Sequence, residues 1–464
     1  MWLSKSPRNL GRRALVLGAS MAGLLAARVL AERFDEVWLL ERDTLPDGAA
    51  PRKGTPQAVH AHGLLARGRE VLESLFPGFT AALEAQGALV GDLLANAPFV
   101  AGGQRFAHGT ACGRAGIACS RLAIEAEVRR RVLALANVRA QTDVDIVQPT
   151  LDEARARVTG VRIVHRSGGA QETLAADLVV DCTGRGSRTP AWLRDWGFDV
   201  PQEERVTVGI GYATAYLKRE PQHAPGIAAL IFAATPELPL PGVLLAQEAA
   251  ADGVPRWVVT LGGYAGDHPE PTLEGMRDRA RRMGDPALLR ILRDAEPLAP
   301  VTRYGFAHSQ RRHFERLARF PQRLLVMGDA IASFNPVYGQ GMSVAASEAL
   351  ALRDTLALGL DGVHRRFFAA ASKVVDVPWQ LAVGADLAIP SVPGERPAPV
   401  RWVNAYIARM FRAAEHDPAV ALAFMKVAHL VAPPQSIFAP GIALRVWRGT
   451  RRAKAARTLG QLTS

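Results

Sequence analysis

Cysteine is scarce. Cys112, Cys119 and Cys182 are scattered through 464 residues, with no CxxC spacing and no ligand cluster nearby. That usage excludes a disulfide framework and a structural zinc site, and it fits a reducing cytoplasm. No metal site is expected. Unbroken apolar runs are missing too. The most apolar central stretch, IAALIFAATPELPLPGVLLAQ, is interrupted by three prolines. It reads as strands and turns, so no integral membrane segment is expected. Internal repeats, low-complexity tracts and recognisable nucleic-acid modules are absent, and no nucleic-acid partner is expected despite a net charge of +12. No catalytic triad or carboxylate pair stands out.

What is present is ordinary globular material, 48% hydrophobic and 22% charged, long enough for two or three domains. Arginine greatly outnumbers lysine. The basic residues are spread along the chain, apart from a C-terminal cluster of Arg445, Arg448, Arg451, Arg452, Lys454 and Arg457. That cluster reads as a solvated helix face; contact with a membrane surface or an acidic carrier is the other reading.

The stretch RRALVLGASMAGLLAARVLAERFDEVWLLERD, Arg12 to Asp43, admits two interpretations. Twin arginines before an apolar run imitate an export signal, with Ala26, Ala27 and Ala31 as a mock cleavage site. The punctuation favours the other. ALVL is a short buried strand, Gly18-Ala19-Ser20-Met21-Ala22-Gly23 a small-residue turn, LLAARVLAERF a helix, and EVWLLE a second strand ending in the acid Glu41. Strand, turn, helix, strand and acid form a dinucleotide-binding unit. Gly18 turns the chain, Ser20 lets backbone approach a pyrophosphate, and Gly23 lets the helix pack close. Free N–H groups at the helix start favour phosphate. Glu41, followed by Arg42, would accept ribose hydroxyls and repel a 2′-phosphate. Ser20 departs from the usual middle glycine.

A second signal lies three hundred residues on. RLLVMGDAIASFNPVYGQGMSVAASEALALRDTL, Arg323 to Leu356, reads as a buried strand ending in Gly328-Asp329, a Pro/Gly loop and a helix. Asp329 would hold a ribose or ribityl hydroxyl. The loop from Pro336 through Gly339 and Gly341 to Met342 would aim a helix N-terminus at an electron-rich cofactor edge.

Together the two stretches resemble the FAD-dependent monooxygenases of the aromatic-hydroxylase type, whose hallmarks are an N-terminal GxGxxG unit and a late GD motif followed by PxxGxGxN. Here Ser343 stands in the Asn position and Glu348 near the family's Asp. More narrowly, PRKGTPQAVHAHGLL with FNPVYGQGMS looks like the flavin-dependent olefin epoxidases of polyether and polyketide biosynthesis. The resemblance covers about residues 12–360. It implies that Arg121, in ACSRLAIEAEVRRRV, contacts the FAD pyrophosphate, and that backbone around Val144 meets the adenine. In DCTGRGSR, Thr183 stands where the hydroxylases carry Asp, as in tryptophan halogenases and isoprenoid reductases. That puts direct NAD(P)H use in question and leaves a separate flavin reductase as the other electron source. Against a halogenase, AWLRDWGF places Trp192 and Trp196 at helical spacing, as core or interface residues. In the loop Pro51–Gly63, Arg52, Lys53, Gln57, His60 and His62 are candidates for phosphate, flavin or substrate contact, with Lys53 expected at the cofactor and His60 at the substrate. His60 and His62 would point the same way on an extended chain.

The expected fold is α/β: a Rossmann-like, glutathione-reductase-like FAD-binding domain (12–80, 110–190 and 300–360), an inserted, mostly antiparallel substrate sheet (81–109 and 191–299), and a C-terminal helical cap (361–464). The expected chemistry is insertion of one oxygen of O2 through a flavin C4a-hydroperoxide, into an alkene or an electron-rich ring of a small hydrophobic substrate, free or carrier-bound. The cofactor carries that chemistry, so no side chain is assigned as catalytic. Tyr212, Tyr216 and Tyr338 are candidate substrate contacts. A flavin dehydrogenase or reductase, or a redox-idle flavin-binding protein, are the other classes the sequence admits.

Overall fold

The computed structural model describes residues 9–249 and 252–449. Four of the basic C-terminal cluster, Arg451, Arg452, Lys454 and Arg457, and the end of the expected cap therefore lie outside the described residues.

The continuous apolar runs form a five-stranded parallel sheet. Its order is Leu324–Val326, Leu178–Asp181, Gly11–Leu17, Phe34–Leu40, Val138–Gln141. Strands covered on both faces need apolar residues at every position, and ALVL, LVVD and LLV are fully buried. Helices Met21–Leu30 and Gly341–Leu356 pack together over this sheet. An antiparallel three-stranded sheet, Val144–Leu151, Val158–His165 and Gln171–Ala175, crosses back between the strands ending at Gln141 and starting at Leu178. Trp192 is buried in the main core and Trp196 packs against it.

The second layer is an eight-stranded sheet ordered Ala332–Ser333, Thr302–Arg312, Glu203–Lys218, Arg256–Gly263, Gly242–Gln247, Ala229–Ala233, Phe99–Ala101, Gln104–Arg105. All its pairs are antiparallel except Ala229–Ala233 with Phe99–Ala101. Here the sequence-based division needs correction. Thr302–Arg312 falls in the 300–360 stretch expected in the nucleotide-binding part, yet it pairs along Glu203–Lys218 from Arg312 opposite Glu203 to Thr302 opposite Thr214. An eleven-residue strand satisfies its backbone only beside another long strand, and the neighbouring parallel strands have at most seven residues. Helices Leu273–Met283 and Pro286–Asp294 cover one face of this sheet.

The C-terminal part is helical: Val363–Asp386, Ala398–Ala414, Pro418–Ala428 and residues 440–449. Phe411 and Phe424 interleave with Phe99 and Phe106 of the sheet, with ring centroids 4.9–6.3 Å apart. Edge-to-face rings of this kind fix how the helices sit on the sheet. No described helix is long and apolar enough to cross a membrane.

Gly23 sets the tightest contact. A Cβ there would lie 1.9 Å from the Gly18 carbonyl oxygen. Gly23→Ala is expected to cost about 1–3 kcal/mol and to reduce retained flavin. Thermal denaturation and the flavin absorbance of the purified variant check this; unchanged melting and flavin content would show that the helix can shift without loss.

Candidate functional site

The first turn ends the strand Gly11–Leu17. Gly18 adopts φ 95°, and a Cβ there would meet the Cys182 carbonyl oxygen at 2.8 Å. Ser20 occupies the N-cap of helix Met21–Leu30 but does not cap it. Its hydroxyl donates to Glu125 Oε2 at 3.1 Å and accepts from Arg121 Nη2 at 2.8 Å. The helix therefore presents uncapped N–H groups beside a guanidinium. Met21 turns its side chain into the core, leaving only its backbone for the site. Ala22 meets the second motif: a Cβ on Gly328, at φ 72°, would lie 2.6 Å from Ala22 Cβ. The two glycine turns interlock.

Charges surround this junction. Arg52, with a side chain 6% exposed, donates to Glu41 at 3.1 Å, to Glu125 at 2.8 Å and to the Ala19 carbonyl at 3.1 Å. Glu41 also accepts from the Ala19 and Asp43 amides at 2.8 and 3.1 Å. Burial works to raise the Glu125 carboxyl, but Arg121 and Arg52 together hold it below the usual range. Arg121 Nε is buried without a partner. An unspent guanidinium N–H beside an uncapped helix start is a donor set for phosphate oxygens, so these residues fit an FAD pyrophosphate. Arg42 and Lys53 are both exposed and line a hollow of 510 Å³ with Arg52, Asp143 and Arg166, beyond Glu41. Val144 is fully buried, and its amide donates to the Glu41 carbonyl at 3.2 Å.

The other end is built on the second motif. Glu348 is buried in helix Gly341–Leu356 and accepts from the Gly328 amide at 2.7 Å, with Oε1 left bare. Burial, with Asp329 adding to it, pushes its carboxyl up to about 8. Asp329 is open to the cleft beside Gly184; the enclosing walls push its carboxyl up, while Arg121 and Arg185 pull it back. Pro336–Tyr338 makes one tight turn capped by Asn335, Gly339 takes φ 63°, and Gly341 starts the helix. A Cβ on Gly341 would meet nothing within 4 Å, whereas Met342 is buried. Ser343 Oγ and Gln340 Oε1 are buried and unpartnered at the same helix start. Open space and spare polar atoms at this loop fit a bound cofactor edge.

Against the loop lies a cavity of 1340 Å³ between the eight-stranded sheet and the C-terminal helices. Ile231, Val243 and Leu245 form its sheet wall; Tyr212, Tyr338 and His62 also line it. Two candidates fall elsewhere. Tyr216 donates to the Val59 carbonyl at 2.8 Å and pins the loop instead. His60 is buried against the Tyr212 and Tyr304 rings, its Nδ1 sharing a hydrogen bond with Thr214 at 2.8 Å. His60 and His62 do not point the same way: a tight turn at Pro56–Val59 precedes them, and His62 Nδ1 folds back to the His60 carbonyl at 3.0 Å. Burial lowers both imidazoles to about 4, so both are neutral at physiological pH.

Sequence reasoning missed Tyr264, Asn335 and Asp386. Asp386 Oδ1 accepts from Asn335 at 2.7 Å, Tyr338 at 2.8 Å and Tyr264 at 3.3 Å, while Oδ2 is buried and bare. Burial pushes this carboxyl up to about 6. Nothing in the local pattern around Asp386 signals a partner fifty residues away. Among the described residues no His/Cys/Asp/Glu group could hold a metal ion.

Two outcomes follow from these charges. Arg121→Ala is expected to weaken FAD about tenfold or more, the scale of lost charge-assisted hydrogen bonds. Flavin titration of the apoprotein measures it, and a wild-type affinity would remove Arg121 from the site. For Glu348, the folded chain keeps a proton that the unfolded chain releases, from the ordinary carboxylate range up to about pH 8. Stability should therefore fall as pH rises through that window, by on the order of 1.4 kcal/mol per unit. Glu348→Gln keeps an acceptor for Gly328 and should flatten the slope; parallel melting curves from pH 5 to 9 for both proteins would contradict this.

Comparison with known proteins agrees with this geometry. The family model described as FAD binding domain matches residues 12–381. Protein Rv3254 of Mycobacterium tuberculosis is 33% identical, over 95% of this chain and 96% of its own. Among solved structures, a flavoprotein/dehydrogenase from Cytophaga hutchinsonii superposes with TM-score 0.63 at 16% identity, covering 96% of this chain and all of the other. The p-nitrophenol 4-monooxygenase PnpA from Pseudomonas putida gives 0.62 at 16%, covering 90% and 99%. The flavin-dependent brominase Bmp2 gives 0.63 at 14%, covering 90% and 93%. At these identities the structures establish a shared fold, while the family model spans most of the chain: the protein belongs to the FAD-binding domain family.

Proposed function

We propose that the protein is an FAD-dependent monooxygenase acting on a bulky lipophilic substrate, and that its reaction is epoxidation of an alkene in a polyketide-like natural-product intermediate. The observation that carries this is the 1340 Å³ cavity, mostly apolar in lining, which shares the Pro336–Gln340 loop with the cofactor motif. A substrate held there would lie beside the flavin edge, away from water. FAD would be held by the Gly18–Gly23 turn, Glu41, Arg121, Asp329 and the Gly339–Met342 loop; once reduced, it supplies the electrons that divide O2 between product and water. The protein's share is to bind, orient and keep water out. Neutral His62 and the aliphatic sheet wall suit an alkene, which needs no proton removed. PnpA, by its name a monooxygenase, shares the fold.

Aromatic hydroxylation is the second reading, favoured by Tyr338 and its buried partner Asp386, which could take a phenolic proton. The dehydrogenase alternative draws on Thr183, whose hydroxyl is committed to Asp181 at 2.6 Å. Electrons come from NAD(P)H or from a separate flavin reductase, and the unpaired cysteines suit a cytoplasmic setting.

The test is labelled oxygen. FAD-loaded protein, supplied with NADH, NADPH or a flavin reductase, is given 18O2 and a panel of polyenes and phenols. One 18O atom in the product is expected. A product lacking two hydrogens and carrying no label would make the protein a dehydrogenase.

A further inference from the structure

We propose that the C-terminal helices dock on the surface of an anionic lipid bilayer, so that the mouth of the large cavity faces the lipid from which substrate enters. This rests on the lipophilic-substrate reading above.

Most of the described chain follows the usual rule of covered apolar side chains. Of the seven large hydrophobic residues exposed, four sit in the C-terminal helices: Trp402 at 61%, Val403 at 37%, Leu444 at 45% and Trp447 at 53%. Helix Ala398–Ala414 explains how. Its C-terminal half is anchored through buried Met410, Ala413 and Ala414, while its first turns overhang the cavity. Trp402 stacks on Tyr406, which packs on Phe438, at centroid distances of 6.1 and 4.7 Å. The rings are thus held in place while one face stays bare. Residues 440–449 continue directly from this stack, and their buried Val446 joins the same core as Met410.

The surroundings are basic. Between Glu395 and Arg448 the sequence has seven Lys or Arg and three Asp or Glu. Of the three acids, Asp417 is already paired with Arg445 at 2.9 Å. Exposed Arg409 lies two turns from Trp402, and exposed Arg448 one turn from Leu444, so each apolar face carries cations at its edge. The residues beyond Gly449 add four more basic side chains and no acidic one. Aromatic and aliphatic tips rimmed by guanidinium groups match the interface of anionic lipid, where rings seat among headgroups and cations meet phosphate.

Continuity with the cavity selects lipid over other acidic surfaces. Exposed Pro399, Arg401, Val403 and Gln435 belong to the cavity lining, beside Phe438. The opening and the apolar patch are therefore one region, and a lipophilic molecule leaving a bilayer there would reach the sheet wall without crossing water.

The experiment is vesicle flotation of the FAD-loaded full chain. Phosphatidylcholine vesicles with and without phosphatidylglycerol are compared at low and high salt. Two variants, Trp402→Ser/Trp447→Ser and Arg409→Gln/Arg448→Gln, change exposed side chains, and flavin content reports their folding. Flotation with the anionic vesicles is expected, with at least a roughly tenfold loss in each variant and with salt. Absence of flotation, or flotation equal in all variants, overturns the proposal. So does a wild-type dimer that the tryptophan variant converts to monomer, which would make the face a contact between copies. Binding to an acidic carrier protein without vesicle binding also overturns it. Oxygen incorporation without flotation would leave the monooxygenase reading standing and remove this one alone.

Discussion

The structure depends on one close backbone approach. The turn Gly18–Gly23 and the strand end at Gly328 lie about three hundred residues apart in the chain, and they touch so closely at Ala22 that Gly328 has no room for a side chain. Gly18 and Gly328 both need left-handed backbone as well as space. Because this contact brings helix Met21–Leu30 against helix Gly341–Leu356, it also places two helix N-termini at one cleft. Uncapped N–H groups, the Ser20 hydroxyl and Arg121 then converge without any single residue directing them.

Buried charge is the cost of that convergence. Glu125 stays ionised because two arginines face it, and Glu41 is held by Arg52 and two amides. Glu348 and Asp386 have no cation beside them, and their carboxyls shift the other way. The contrast follows from pairing: a buried carboxylate without an opposite charge holds its proton to higher pH than a paired one. Both unpaired acids stand behind the Pro336–Met342 loop, one touching the strand end and the other the Tyr338 hydroxyl. A loop with the candidate cofactor cleft on one side and the cavity on the other is thus braced by groups that change charge near neutrality.

The long strand Thr302–Arg312 ties the two compartments. It hydrogen-bonds in the eight-stranded sheet, where it pairs with Glu203–Lys218 and with Ala332–Ser333, just beyond Asp329. Ser120 provides a second tie, since its amide and hydroxyl both donate to Glu248 of the sheet domain while its oxygen caps the helix that carries Arg121. The cavity therefore has a fixed wall relative to the cofactor motif, and the C-terminal helices close it through the Phe99–Phe424 cluster. An oxygen-transferring site needs such a wall more than it needs a reactive side chain.

Local sequence determined the strand–turn–helix units, because apolar runs, glycine turns and a terminal acid each carry their own geometry. It also placed Trp192 in the core and singled out the family motifs at Gly18–Gly23 and Gly328–Met342 as the candidate cofactor site. Only the tertiary structure decided which face each loop residue took. His60 turned into the sheet and His62 into the cavity, because the preceding turn broke the extended geometry that alternation assumes. Tyr216 spent its hydroxyl on backbone, and Arg52 rather than Lys53 was drawn into the acidic cluster. Asp386 acquired its role from three donors distant in sequence. Long-range pairing and burial set these outcomes, and neither is written in the residue's own neighbourhood.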